Sequence, residues 1–248
     1  MNPKLKAIFW DVDGTIADNE FKGHRLAFNK AFKHEALEWQ WDDELYLKLL
    51  SVSGGANRIA EYADKIKLSL SSSQIRKIHN TKQNFYNEIV NSGLITLRYG
   101  VKRCMHQFKN SGISQYIVTT SSIKAVKPLL KTNNIYETIN FDGFITSEDV
   151  NRSKPHPEAF LKAISLSGLA NNEILVIEDS LNGLLAAQAS GLKCMVTLSP
   201  WLKKPSKDHL TAFLVLNHLG SDKKAVEFFK GQPSKNKIID LEYLLDIF

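Results

Sequence analysis

The sequence predicts an α/β fold in which a doubly wound parallel sheet is interrupted, early in the chain, by an all-helical insert. Two observations predict it. Five short apolar runs recur between stretches of helical periodicity, the pattern of buried parallel strands with helices on both faces. From residue 19 to about 93 that alternation stops, and the chain becomes Lys-, Glu- and Asn-rich and helix-periodic throughout.

In chain order, strands are expected at residues 5–10, 115–119, 143–146, 174–177 and 193–198. Helices are expected between them at 100–112, 123–132, 157–169 and 183–191, two of which close on Gly112 and Gly191. The insert carries amphipathic segments at 25–32, 42–50, 56–64 and 73–91, the last opened by Ser71, Ser72 and Ser73 as N-cap candidates. The boundaries this implies are 1–17 and 94–248 for the sheet domain and 18–93 for the helical one. After Gly220 the pattern reads as one helix, a Gly231-Gln232-Pro233-Ser234 turn and a short final element.

A chain of 248 residues can bury one sizeable core, or one core with a smaller domain inserted. Hydrophobic residues at 43% and charged ones at 23% exclude a disordered or fibrous chain. The net charge of +6 would draw either nucleic acid or a multiply anionic small substrate. The basic residues are scattered, with small groups at Lys4 and Lys6 and at Lys203, Lys204 and Lys207, and Arg is not interleaved with aromatics, so no nucleic-acid partner is expected. Cys104 and Cys194 match no metal or redox spacing and read as reduced core residues. With no apolar run of about 18 residues and no room for a leader before the first strand, a cytoplasmic monomer without a membrane partner is expected.

The first strand runs into Asp11-Val12-Asp13-Gly14-Thr15. Carboxylates at i and i+2 of an extended segment share a side, at the sheet edge where α/β folds hold their ligands. One could attack phosphorus while the other moves a proton to the leaving oxygen and from water. Three later strand ends answer it. Thr119, Thr120, Ser121 and Ser122 offer hydroxyls and amides to phosphoryl oxygens, and Lys154 offers a fixed cation. Glu178 and Asp179, with Asp11, offer a hard oxygen site for Mg²⁺. Each alone has a blander reading as a surface turn, a helix cap or a solvated loop residue. Together, in this order, they are a coherent phosphoryl-transfer site.

That order and spacing resemble the haloacid dehalogenase superfamily, with its Rossmann-like core. The resemblance implies Asp11 as nucleophile, Asp13 as general acid/base, Thr119 as phosphate-binding hydroxyl with Thr120 beside it, and Lys154 as phosphate-binding lysine. It implies Mg²⁺ held by Asp11, the Asp13 backbone carbonyl, Glu178 and Asp179. It favours a phosphatase over a dehalogenase, because that branch lacks the acidic pair and the second Asp. The insert lies where the superfamily carries a small helical cap that closes over small soluble substrates.

Several details resemble the CbbY-type phosphatases: Glu20, Gly23-His24-Arg25, Trp41 with Tyr46, Ser53-Gly54-Gly55 followed by Arg58, His79 with Lys82, and Glu178 through Gly183. Ala56 departs from the pattern, since relatives usually have Lys there. The implied substrate is xylulose 1,5-bisphosphate, a phosphorylated sugar needing a second cationic centre in the cap. Arg58, after two glycines, suits the distal phosphate. Arg76, His79 and Lys82, at i, i+3 and i+6, could add a basic face or be a solvated one. Glu20 and His24 could meet sugar hydroxyls, with Tyr46, Gly54, Gly55, Thr120 and Asn182 as further contacts. β-Phosphoglucomutase and phosphoglycolate-type hydrolysis remain open, as does a non-catalytic module that binds a phosphometabolite.

Overall fold

The computed structural model describes residues 5–248, so Lys4 lies outside the described residues. Strand β1 (Ala7–Trp10) is buried along its whole length, as a strand covered on both faces must be. It is the third strand, inside the edges, of a seven-stranded sheet of order β3-β2-β1-β4-β5-β6-β7. The other strands are β2 (Ser114–Val118), β3 (Gly143–Ile145), β4 (Ile174–Glu178), β5 (Lys193–Thr197), β6 (Leu214–Leu216) and β7 (Phe228–Lys230). All pairings are parallel except that of β6 with β7.

Alternation along each strand builds two cores. Ile8 and Trp10 join Ile117, Leu175 and Ile177 on one face, while Ala7 and Phe9 join Val118 and Val176 on the other. The five expected strands lie within about two residues of those observed. The helices that cover them are α5 (Val101–Asn110), α6 (Ile123–Thr132), α7 (Tyr136–Ile139), α8 (Glu158–Ser167) and α9 (Leu181–Ala189). Cys104 and Cys194 are both buried free thiols.

The tail differs from expectation. The stretch after Gly220 read as a helix holds β7 instead, and the final element, α10 (Leu241–Ile247), is helical. The reason is a period of two: Phe228 packs into one core and Phe229 into the other, which an edge strand allows and a helix does not.

Between β1 and β2 the chain is helical: a π-helical turn (Glu20–Arg25), α1 (Leu26–His34), α2 (Asp43–Leu49), α3 (Gly55–Lys65) and α4 (Ser72–Asn91). These elements share a third, aromatic cluster of Phe28, Phe32, Trp41 and Tyr46 with Leu49, Ile59 and Ile78. Ser71 caps α4, with Gln74 completing a capping box. Among the described residues no helix is long and apolar enough to cross a membrane.

Candidate active site

Trp10 sits opposite Ile117 and Ile177, so Asp11, Thr119 and Glu178 emerge at three neighbouring strand ends. Lys154 arrives from the loop after β3. Its ammonium spends all three protons at once: on Asp11 Oδ1 at 2.8 Å, Glu178 Oε1 at 2.6 Å and the Val118 carbonyl at 2.8 Å. Burial disfavours that ammonium, but Asp11 and Glu178 outweigh burial and raise Lys154 above its ordinary value.

Asp11, Glu178 and Asp179 are all buried, with carboxylate oxygens within 4.8 Å of one another. Burial first, then the charge of Glu178, pushes both Asp11 and Asp179 well above the usual carboxylate range. Three carboxylates against one ammonium leave an excess of buried negative charge, and a tight set of hard oxygens suits a divalent cation such as Mg²⁺. The acids are braced from behind. Glu178 Oε2 accepts from the amides of Asp179 and Ser180, and Ser199 Oγ donates to Asp179 Oδ2 at 2.5 Å. Gly14 has φ +84°, and a side chain there would collide with the Asp179 carboxylate.

Asp13 is held differently. Burial alone would raise it, but His24, Ser121 and Asn19 more than offset that and hold its carboxyl below the usual range. The order of the hydrogen bonds defines a relay. Lys82 Nζ donates to His24 Nδ1 at 2.7 Å, which leaves the imidazole proton on Nε2 to donate to Asp13 Oδ1 at 2.9 Å. Asn19 Nδ2 donates to the same oxygen at 2.5 Å, and Ser121 Oγ to the other.

Between the sheet and the insert lies a cleft of about 260 Å³. Asp11, Asp13, Thr120, Lys154, Asp179 and Asn182 line it from the sheet side, and Glu20, Gly54 and Arg58 from the insert. Tyr46 braces that wall, its hydroxyl donating to Glu20 Oε2 at 2.5 Å and accepting from Arg58 Nη1 at 3.0 Å. Other expected contacts stand elsewhere. His24 and Lys82 do not line the cleft; the π-helical turn buries His24 against Tyr86, behind Asp13. The Thr119 hydroxyl accepts from the Ser121 amide, and it is Thr120 that lines the cleft. Gly55 packs so closely on His79 that a Cβ would stand 2.8 Å from its Nε2. Arg76 does not line the cleft, and it is exposed where Lys82 is buried because six residues of helix turn it about 120° from Lys82.

Sequence reasoning missed Asn19, Ser199, Trp201 and His209. Trp201 and His209 line the cleft, and the Trp201 ring meets Phe21 of the insert edge-on at 5.5 Å. The sole available signal was an aromatic residue closely following a strand end.

Comparison with known proteins agrees with this geometry. Residues 8–197 match the haloacid dehalogenase-like hydrolase family. The chain is 34% identical over 206 residues to Protein CbbY of Rhodobacter capsulatus, covering 81% of this chain and 88% of that one. A CbbY variant from Rhodobacter sphaeroides, solved in complex with xylulose-(1,5)bisphosphate, is 31% identical with a TM-score of 0.80, over 87% of this chain and 96% of that one. β-Phosphoglucomutase from Clostridium difficile, 21% identical with a TM-score of 0.72 over 98% of this chain and 96% of that one, shares the fold.

Proposed function

The chain belongs to the haloacid dehalogenase-like hydrolase family and is an enzyme of the phosphatase type, and on that premise we propose that it cleaves a small sugar bisphosphate through an aspartyl phosphate on Asp11. The observation that carries this reading is one cleft lined by Lys154, Asp11 and Asp179 on one side and by Arg58 on the other. Arg58 would take one phosphate, and Lys154 together with a Mg²⁺ held by the acidic cluster the other, so the cavity suits a substrate with two phosphates.

In the reaction we infer, an Asp11 oxygen attacks phosphorus as the bond to the sugar oxygen breaks, and that oxygen takes its proton from Asp13, which must be protonated for this half against the donors that hold it ionised. Ionised Asp13 then takes a proton from water, whose oxygen attacks phosphorus and releases phosphate from Asp11. The relay from Lys82 through His24 supports the ionised form that this second half needs. Lys154 reduces the repulsion between Asp11 and the incoming phosphoryl group. Asp11, Glu178 and Asp179 would hold Mg²⁺, which when bound neutralises charge on the phosphoryl oxygens. Residues 18–93 act, in this proposal, as a cap over the site, with 1–17 and 94–248 as the catalytic domain. Their separate aromatic cluster supports that division. Xylulose 1,5-bisphosphate, bound by the Rhodobacter sphaeroides relative, is the substrate we assign.

The test is phosphate release from sugar mono- and bisphosphates, with Mg²⁺ and with EDTA. Xylulose 1,5-bisphosphate is expected to give the highest kcat/KM, and EDTA to abolish turnover. Arg58→Ala should raise KM for the bisphosphate by the loss of one charge-assisted pair, about 30- to 1000-fold, and spare an aryl monophosphate. Equal losses on both substrates would remove the distal-phosphate role, and full activity in EDTA would remove the metal.

A further inference from the structure

Ser199 and Leu202 line two cavities: the catalytic cleft, and a second of about 470 Å³, well within the size of small-ligand sites. The second is also lined by Asp18 and by residues 96–99, the two stretches that join the insert to the sheet, and by His218 and Lys224. His218 is 6% exposed. Its Nδ1 accepts from the Gly220 amide at 3.1 Å, which puts the ring proton on Nε2. That Nε2 is buried without a hydrogen-bond partner among the described residues. Burial, with Lys224 and Arg98 nearby, lowers the imidazole to about 4, so at neutral pH it is an uncharged donor.

A buried N–H without an acceptor is costly, and this one stands in the wall of a cavity large enough to bring it an acceptor. An adjoining cavity of about 500 Å³ shares Leu97, Arg98 and Tyr99 and adds Arg103, whose Nε is likewise buried and unpaired. Charge points the same way. Arg98, Lys102, Arg103 and Lys224 face the two cavities against Asp18 and Asp222. The Lys224 ammonium stands 4.5 Å over the exposed ring of Tyr99, at the rim.

We propose that this cavity binds a small organic oxyanion, a phosphorylated or carboxylated metabolite, through the Lys224 ammonium at its rim and the His218 Nε2–H, which turns out of the cavity wall to meet it. Leu97 and Leu202 give its carbon skeleton an apolar wall. The position makes the site regulatory. Its occupant touches both connections of the insert and also Ser199, whose hydroxyl holds Asp179.

The test is an NMR titration of the isotopically labelled full chain with inorganic phosphate and, separately, with malonate. Resonances of His218 and Tyr99 report this cavity, and those of residues 119–121 report the catalytic cleft. Saturable shifts at His218 and Tyr99 are expected with at least one anion. Phosphate alone would identify a phosphorylated ligand, and malonate alone a carboxylated one. Lys224→Met should weaken binding there about tenfold or more, the loss of one charged hydrogen bond, and leave the isotherm at 119–121 unchanged. His218→Phe should do the same; Lys224 is exposed, so its variant keeps the test valid should the buried substitution unfold the chain. The absence of a saturable shift at His218 with either anion overturns the proposal. So does an isotherm there that Lys224→Met leaves unaltered.

Discussion

Glu178 is fully buried, and a carboxylate so placed survives only if its oxygens are paired. Lys154 takes one oxygen and the amides at the start of α9 take the other. The space it occupies is secured by Gly183, where an added Cβ would overlap the Glu178 carboxylate itself. Gly183→Ala therefore has to push Glu178 off Lys154. We predict a fall in kcat/KM of about a hundredfold, as for an ångström-scale misplacement at a reacting centre, with the far-ultraviolet circular dichroism retained. An unchanged kcat/KM would show that the Lys154–Glu178 pair is not needed.

At the scale of elements, Glu35 ties the end of α1 to α4, accepting from Lys77 at 2.7 Å and from Thr81 at 2.8 Å. The hydrogen bonds from Lys77 and Thr81 lower its carboxyl to about 2. A carboxyl depressed on folding contributes stability above its unfolded value near 4.5, and that contribution is lost as pH falls towards 2. Glu35→Gln should thus lower Tm at pH 7, with the gap to wild type closing as pH falls from about 5 to about 2. A gap independent of pH would mean that shape, not charge, makes the contact. The elements themselves were legible wherever periodicity was long. The segments expected at 123–132 and 73–91 match α6 and α4 closely because their apolar positions recur over whole turns. Strand β6 went unread although residues 212–216 are an unbroken apolar run, because only a short 3-10 turn (His209–Thr211) and no readable helix separates it from β5, and the π-helical turn at Glu20–Arg25 differs from an α-helical one only in which carbonyl the His24 amide finds.

For the whole molecule, a parallel sheet sends the C-terminal ends of its strands to one edge, so Asp11, Lys154, Glu178 and Asp179 could be grouped from order alone. What order cannot convey is packing between distant segments. Arg98 donates to carbonyls at Gly14, Thr197, Leu198 and Asn217, stitching three strand-end loops together, and nothing around it in the sequence announces that task. Trp201, His209 and the relay behind Asp13 were invisible for the same reason. The whole arrangement has one chemical purpose in our account, to let Asp11 carry a phosphoryl group. The direct measurement is mass spectrometry of the intact protein, acid-quenched during turnover of xylulose 1,5-bisphosphate with Mg²⁺. The account predicts a transient gain of one phosphoryl group, mapped to Asp11 and absent from Asp11→Asn, whose turnover falls below about a thousandth of wild type. Turnover without phosphorylated Asp11, or an Asp11→Asn variant that retains activity with an unchanged fold, would contradict it.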